Sequence, residues 1–310
     1  MATLTQTIIL QKVIQALRVE APFLNYFAGG FTNQRLRLGQ NAIAHIVGSP
    51  TADIIDMGDA ASTRNLQGGD QTNTLLTDVE IMVNKEVRVR LSLSRINALQ
   101  DDKLALAEIF SNAAAAVGKG VVDNILSMVL AAEFTNKTTE SIANTDLDTI
   151  SDMREAMNLR GVGAMRYGLI NSSVATSLSK DPQIKGRDYH GKLVEENPYV
   201  NFENMEGFRR ISEYPNFPAN GENLSGFFFD KSAIQYVTAI PDNSGDLAQE
   251  LGIPRVLKYD VLQDLATGLS LQSVMGQDQN TEEIFMVIRL LTGAKVGDEL
   301  DGHGQRLASA

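Results

Sequence analysis

Residues 101–133, DDKLALAEIFSNAAAAVGKGVVDNILSMVLAAE, decide how the rest of the chain is read. Leu106, Phe110, Ala113, Val117, Val121, Ile125, Met128 and Ala132 recur every three or four residues, which lays them along one face of a helix. Asp101 and Asp102 stand where carboxylates satisfy free N–H groups and meet the positive end of the helix dipole. At about 1.5 Å per residue the helix is expected to run roughly 50 Å, whereas the usual helix has about 11 residues. A membrane span needs about 20 apolar residues with few charges, and Lys119 and Asp123 interrupt this one. A rod of that length needs a large surface to lie against, or it sets the long axis of an extended molecule.

The segment feeding this helix is also drawn out. Over residues 79–94, Val79, Ile81, Val83, Val87, Val89, Leu91 and Leu93 alternate with Glu80, Asn84, Glu86, Arg88, Arg90, Ser92 and Ser94. Period two predicts a long strand with one dry and one wet face, roughly 50 Å if fully extended. Before it, residues 48–78 are rich in Gly, Ser, Thr, Asn and Asp, a composition that makes loops and cannot build a core. A loop this long inside a domain is most often functional or disordered; a two-stranded arm with Gly68 and Gly69 near its tip is expected. Residues 4–27 read as a short helix and an apolar knot around Pro22, Phe23, Leu24, Tyr26 and Phe27, broken by Gly29 and Gly30. Residues 35–47 look extended.

Beyond the long helix, the pattern predicts a helix at Leu147–Leu159 capped by Asp146, Asp148 and Asp152, a strand at Tyr167–Ile170, and a capped helix stopped by Pro182. Residues 183–207 read as a polar loop. GFRRISEYPNFP reads as a strand ended by prolines, GFFFD as a buried strand, and KSAIQYVTAI as a helix or strand. Residues 254–275 alternate again. Residues 284–296, IFMVIRLLTGAKV, form a continuous apolar run of the kind found inside a sheet. The last residues, GDELDGHGQRLASA, have the composition of a mobile tail. Helices and strands alternate irregularly, so the class is α+β.

Composition narrows function. The chain has 310 residues and no cysteine, which removes disulfides, thiolate metal sites and thiol catalysis. The beginning, MATLTQTIIL, lacks the charged flank and apolar core of a signal peptide, so cytosolic synthesis is expected. The net charge of −11, from 27 basic and 38 acidic residues, argues against a dedicated nucleic-acid binder. The charge is uneven: residues 1–50 carry Lys12, Arg18, Arg35 and Arg37 against Glu20 alone. His45, His190 and His303 are far apart and form no HExxH pattern. Gly118 and Gly120 in VGKGVV fall inside the helix rather than after a strand, so they read as a close approach of another backbone, not a phosphate loop. RGVGAM precedes a strand and fails as a dinucleotide fingerprint. Asp146, Asp148 and Asp152 lack calcium-loop spacing. No catalytic residue, metal ligand or cofactor is expected. These absences favour a structural role.

The order of elements resembles the major capsid proteins of tailed bacteriophages, a fold shared with encapsulins. RYGLINSSVATSLSKDP, MEGFRRISEYPNFP, GFFFDKSAIQYV, and DLATGLSLQSVMGQ followed by IFMVIRLLTGAKV are similar to that family's strand–helix pair, Gly-aromatic strand, axial strand and closing segment. The resemblance implies an N-terminal arm at 1–47, an extended loop at 48–80, a peripheral domain with the spine helix at 81–145, an axial domain at 146–270, a return to the peripheral domain at 271–300, and a C-terminal tail at 301–310. It further implies a non-enzymatic subunit that self-assembles, as hexamers and pentamers, into an icosahedral shell around double-stranded DNA. Assembly would take place in the host bacterial cytoplasm, with a separate scaffolding protein, a portal and no membrane.

Expected assembly residues are Arg64, Gly68, Gly69 and Asp70 in the loop and Gly118 and Gly120 in the helix; Lys12, Arg18, Arg35 and Arg37 would form a basic inner arm that meets packaged DNA without sequence preference. Residues 48–84 contain no lysine, so the isopeptide crosslink formed from this loop in some relatives is not expected; covalent ladders on a denaturing gel would contradict this. The alternatives are an encapsulin-type compartment shell, marked by one copurifying protein cargo, and an unrelated α+β enzyme, marked by a soluble monomer.

Overall fold

A computed structural model describes residues 6–20, 22–47, 76–92, 103–163, 165–186, 200–242, 251, 255–264, 269–278, 283–297 and 303–310. Among these, the chain runs through α1 (Gln6–Glu20), a 3-10 turn (Pro22–Tyr26), β1 (Ala28–Leu36), β2 (Asn41–Val47), β3 (Leu76–Met82), β4 (Lys85–Ser92) and α2 (Lys103–Leu126). There follow β5 (Lys137–Glu140), α3 (Leu147–Leu159), β6 (Arg166–Ile170), α4 (Ser172–Lys180), α5 (Pro182–Gly186), β7 (Asn201–Met205) and β8 (Phe208–Glu213). The chain closes with β9 (Leu224–Asp230), β10 (Ile234–Pro241), β11 (Arg255–Asp264), β12 (Leu269–Gln277), β13 (Ile284–Val296) and β14 (Gly304–Ser309).

The apolar run at 284–296 becomes the hub of the first sheet. β13 pairs antiparallel with β4 over Phe285–Thr292, with β12 over Ile284–Arg289 and with β10 over Leu291–Val296. β1 adds parallel to β10, and β11 antiparallel to β12. Alternate residues of β13 serve opposite faces. Met286, Ile288 and Leu290 face the core shared with α1 and α2, through Ile9, Val13 and Leu17 of the first helix and Phe110, Ala113, Val117, Val121 and Ile125 of the second. Those five residues of α2 belong to the stripe read from sequence. Val87, Val89 and Leu91 of β4 meet the same core, as the dry face of the alternation requires.

The second sheet has the order β5-β14-β9-β6-β8-β7. Its strand β9 is covered on both sides, which explains three consecutive phenylalanines. Phe228 joins α3 and α4 in one core, while Phe227 and Phe229 face the other way into the core of the first sheet. The apolar knot at 22–27 fills the junction: Phe27 stacks on Phe229 with ring centroids 4.6 Å apart, and Tyr26 stacks on Tyr167 at 4.7 Å. One continuous core therefore runs through both sheets. Local signals hold here as well. Asp146 caps α3 by accepting the Thr149 amide at 3.0 Å, and Asn171 caps α4 by accepting the Val174 amide at 2.9 Å.

Four expectations are corrected. The long strand at 79–94 divides at Val83 and Asn84. β3 pairs with β2 and β4 with β13, in different sheets. The Val83 amide donates to Gln40 O at 2.9 Å while its carbonyl accepts from the Gly39 amide at 2.8 Å, so the turn after β1 holds the point where the strand changes partners. The alternation breaks only at Lys85 and resumes in the same register, because it reports which residues are buried, not which strand lies alongside.

The spine helix is also shorter than 101–133. α2 has 24 residues, or about 36 Å, and turns follow it to Glu133. Asn220, from the second sheet's side, donates its Nδ2 to Leu126 O at 3.0 Å and Val129 O at 2.7 Å, taking the carbonyls that further helix would have used. The supposed mobile tail is instead β14, lying between β5 and β9 and buried from Gly304 to Ala308. KSAIQYVTAI contributes a strand, β10, one of the two readings left open, and Gly29 and Gly30 follow the apolar knot in β1. The polar stretch 183–207 contains most of α5 and all of β7.

Candidate functional site

The feature that leaves the body of the molecule is the ribbon of β2 and β3, a separate two-stranded sheet with register Asn41↔Met82 through Val47↔Leu76. It departs where β3 crosses β13. A Cβ at Gly293 would lie 2.2 Å from Met82 O, so only glycine permits the crossing. The inner face of the ribbon's root, Ala42, Ile81 and Val83, packs on Leu36, Val237, Ala239 and Leu291. On the outer face, Asn41 donates to Glu80 at 2.9 Å beside Ile43 and Met82. Ile43 is 58% and Met82 52% exposed, and Leu38 in the preceding turn is 55% exposed. Three large aliphatics thus face water at the base of the extended segment.

Of the residues singled out from sequence, Arg64, Gly68, Gly69 and Asp70 lie outside the described residues, as does all of the stretch 48–75. Gly118 is buried in α2. Gly120 sits where β4 comes closest to the helix: a Cβ there would meet Val87 Cγ1 at 2.8 Å. The two glycines therefore mark packing inside the subunit.

The basic residues of the arm have separate surroundings. Lys12 on α1 is exposed and reaches Gln15 at 3.3 Å. Arg18 is on the same helix, its side chain outside what is described. The Arg35 guanidinium lies 6.0 Å from the Tyr259 ring centroid. Arg37 forms an ion pair with Asp242 at 3.1 Å, which cancels its charge locally.

Several polar groups were invisible in the sequence. Arg289, on the β13 face opposite the helices, is 0% exposed; its Nε donates to Gln272 at 2.7 Å and its Nη1 approaches Glu86 at 3.4 Å. Arg306 on β14 donates to Phe134 O and pairs with Glu222, tying the C-terminal strand to the end of the spine segment. Neither position differs in sequence from a surface arginine; only strand pairing reveals it.

Asp230, Ser232 and His303 also meet. The Ser232 hydroxyl donates to Asp230 Oδ2 at 2.9 Å and lies 2.9 Å from His303 Nδ1, which itself is 3.6 Å from Asp230. A serine–histidine–acid relay places serine and acid on opposite ring nitrogens. Here both approach Nδ1, so the arrangement fastens β14 to the β9–β10 turn and performs no proton relay. Burial works against the Asp230 charge, but hydrogen bonds from His303, Ser232 and the Lys231 amide outweigh it and hold its carboxyl below the usual range. Among the described residues, no cluster of three or more His, Asp or Glu suits a metal ion, and no helix is long and apolar enough to cross a membrane.

No family model and no curated protein matches the chain. Among solved structures it is similar to a chain from the capsid of the cyanophage P-SCSP1u, with 13% identity and a TM-score of 0.50, covering 92% of this chain and 86% of that one. It is also similar to a chain from the capsid of a native GTA particle (12% identity, TM-score 0.47, 94% and 91% covered) and to a chain of Mycobacterium phage Che8 (14%, 0.46, 87% and 84%). At such identities the likeness is one of fold. The α+β class and the tailed-phage capsid protein fold expected from the sequence are the ones observed.

Proposed function

We propose that the chain is a major capsid protein, self-assembling into the icosahedral shell that encloses the double-stranded DNA genome of a tailed phage. One observation carries this reading. A body with its own continuous core sends out a ribbon whose root exposes Leu38, Ile43 and Met82, in a fold shared with a phage capsid chain. A second copy is the occupant that suits such a surface, because heterologous contacts between identical chains close into rings of six or five. In this reading the segment 48–80 lies across a neighbour, the domain built on the second sheet surrounds the capsomer centre, and extensive interfaces of about 2,000–5,000 Å² supply stability. A separate scaffolding protein and a portal complete assembly in the host cytoplasm. Packaged DNA meets an acidic wall and is held weakly, with strong salt dependence. Among the described residues, the Asp230, Ser232 and His303 cluster lacks relay geometry.

Negative-stain microscopy of the purified protein tests the proposal. Closed shells or capsomer rings are expected; a monomer at every concentration and ionic strength refutes it. An encapsulin-type compartment is not favoured by the capsid likenesses above, and copurification of one protein cargo without DNA is the outcome that would revive it.

A further inference from the structure

Where the arm's knot meets the second sheet there is a cavity of about 460 Å³. Its wall carries Arg209 and Arg210 of β8, Lys231 after β9, and Glu203 and Asn204 of β7, with Tyr26 at the base. The tight hairpin between β7 and β8 brings these together: Glu206 and Gly207 both adopt positive φ, 47° and 81°, the two-residue turn that matches strand twist.

The charge count is uneven. Arg210 pairs with Glu203. Arg209 and Lys231 are both exposed, and among the described residues neither side chain has an ion-pair or hydrogen-bond partner. Three cations against one carboxylate leave an excess of two positive charges in one pocket, on a chain whose net charge is −11.

We propose that this pocket binds a phosphate group, with Arg209 and Lys231 as its principal ligands and Arg210 as a third donor. Guanidinium groups match phosphate oxygens in pairs, and an ammonium adds a point charge. A phosphate carries three or four oxygens and up to two charges, which suits donors arriving from one strand and a turn; one carboxylate would leave most of them unmet. The room exceeds what one inorganic phosphate needs, so a nucleotide or a phosphodiester segment is accommodated too. The pocket is separate from the ribbon root, and its binding is measurable whether or not the chain forms shells.

The test is titration of the full chain, in the assembly state in which it purifies, with inorganic phosphate and separately with a twelve-nucleotide single-stranded DNA. Wild type is compared with Arg209→Ala/Lys231→Ala and with Arg209→Glu, their fold checked by circular dichroism. Saturable phosphate binding that weakens at least tenfold in both variants supports the proposal. If oligonucleotide binding weakens in parallel, with its salt slope reduced by about 1.4 for two lost contacts, the natural source is a phosphodiester backbone; if it is unchanged, the source is free phosphate or a nucleotide. Absence of saturable phosphate binding, or variants indistinguishable from wild type, overturns it. Equally tight competition by oligo-aspartate also overturns it, in favour of an acidic peptide.

Discussion

Replacing Asn220 tests how the spine helix is terminated. Its amide bonds Leu126 O, in the last residue of α2, and Val129 O, in the turn beyond; both residues are buried, and Leu126 O also accepts the Val129 amide at 3.1 Å. Each hydrogen bond contributes about 0.5–1.5 kcal/mol net, and a buried acceptor left without a partner costs about 1–3 kcal/mol. Asn220 also has φ 45°, where asparagine is tolerated better than alanine. Asn220→Gly removes the bonds but relieves the backbone, and is expected to cost about 2 kcal/mol. Asn220→Ala adds the left-handed strain of about 1 kcal/mol, for about 3 kcal/mol in all. Asn220→Asp sets a carboxylate against two carbonyls at the negative end of the helix dipole and is expected to be worst. Urea unfolding gives the stabilities, and hydrogen exchange of the amides at 122–134 locates the effect. Equal stability of wild type and the Gly and Ala variants, within about 0.5 kcal/mol, or faster exchange confined to some other region, would refute the capping account.

Deleting residues 304–310 removes a strand flanked by β5 and β9, so the shortened chain is expected to be insoluble or rapidly proteolysed; a soluble, protease-resistant product contradicts the placement of β14. Asp230 predicts an acid response. Its folded carboxyl lies below its ordinary value of 3.8, so its stabilising contribution is fully present above that pH and disappears as pH falls through the lower, folded value. Below about pH 3.8, with Arg166 and His303 its charged neighbours, the β9–β14 junction should loosen in wild type. Asp230→Asn should abolish that component of the pH–stability curve; identical curves count against it. Leu38→Ser/Ile43→Ser/Met82→Ser should leave the subunit's melting temperature nearly unchanged. If each half-exposed side chain gains about 1 kcal/mol on burial by a neighbour, association weakens by about two orders of magnitude; unaltered shell formation by sedimentation would show that the root is not a contact.

Much of the fold was readable because it rests on local periodicity. The stripe of α2, the alternation of β4, the boundaries of α3 and the hub strand β13 all follow from which side chains must leave water. Caps such as Asp146 were readable for the same reason, since donor and acceptor lie three residues apart. The candidate site was less legible. The ribbon's exposed root combines Leu38 and Ile43 with Met82, and the cationic pocket gathers side chains from positions 203 to 231 around an arm residue, Tyr26.

Sequence alone determined the α+β class, the cysteine-free and acidic chemistry, the absence of known catalytic motifs and the central place of the long helix. Tertiary structure alone decided where that helix stops, that an apparently single strand serves two sheets, that the last residues form an interior strand, and that Arg289 and Arg306 are buried. The reason is range. Periodicity records burial along one element, whereas partner choice and charge satisfaction depend on atoms brought together from 84 residues away or more, such as Asn220 against Leu126 and Arg306 against Phe134 or Glu222.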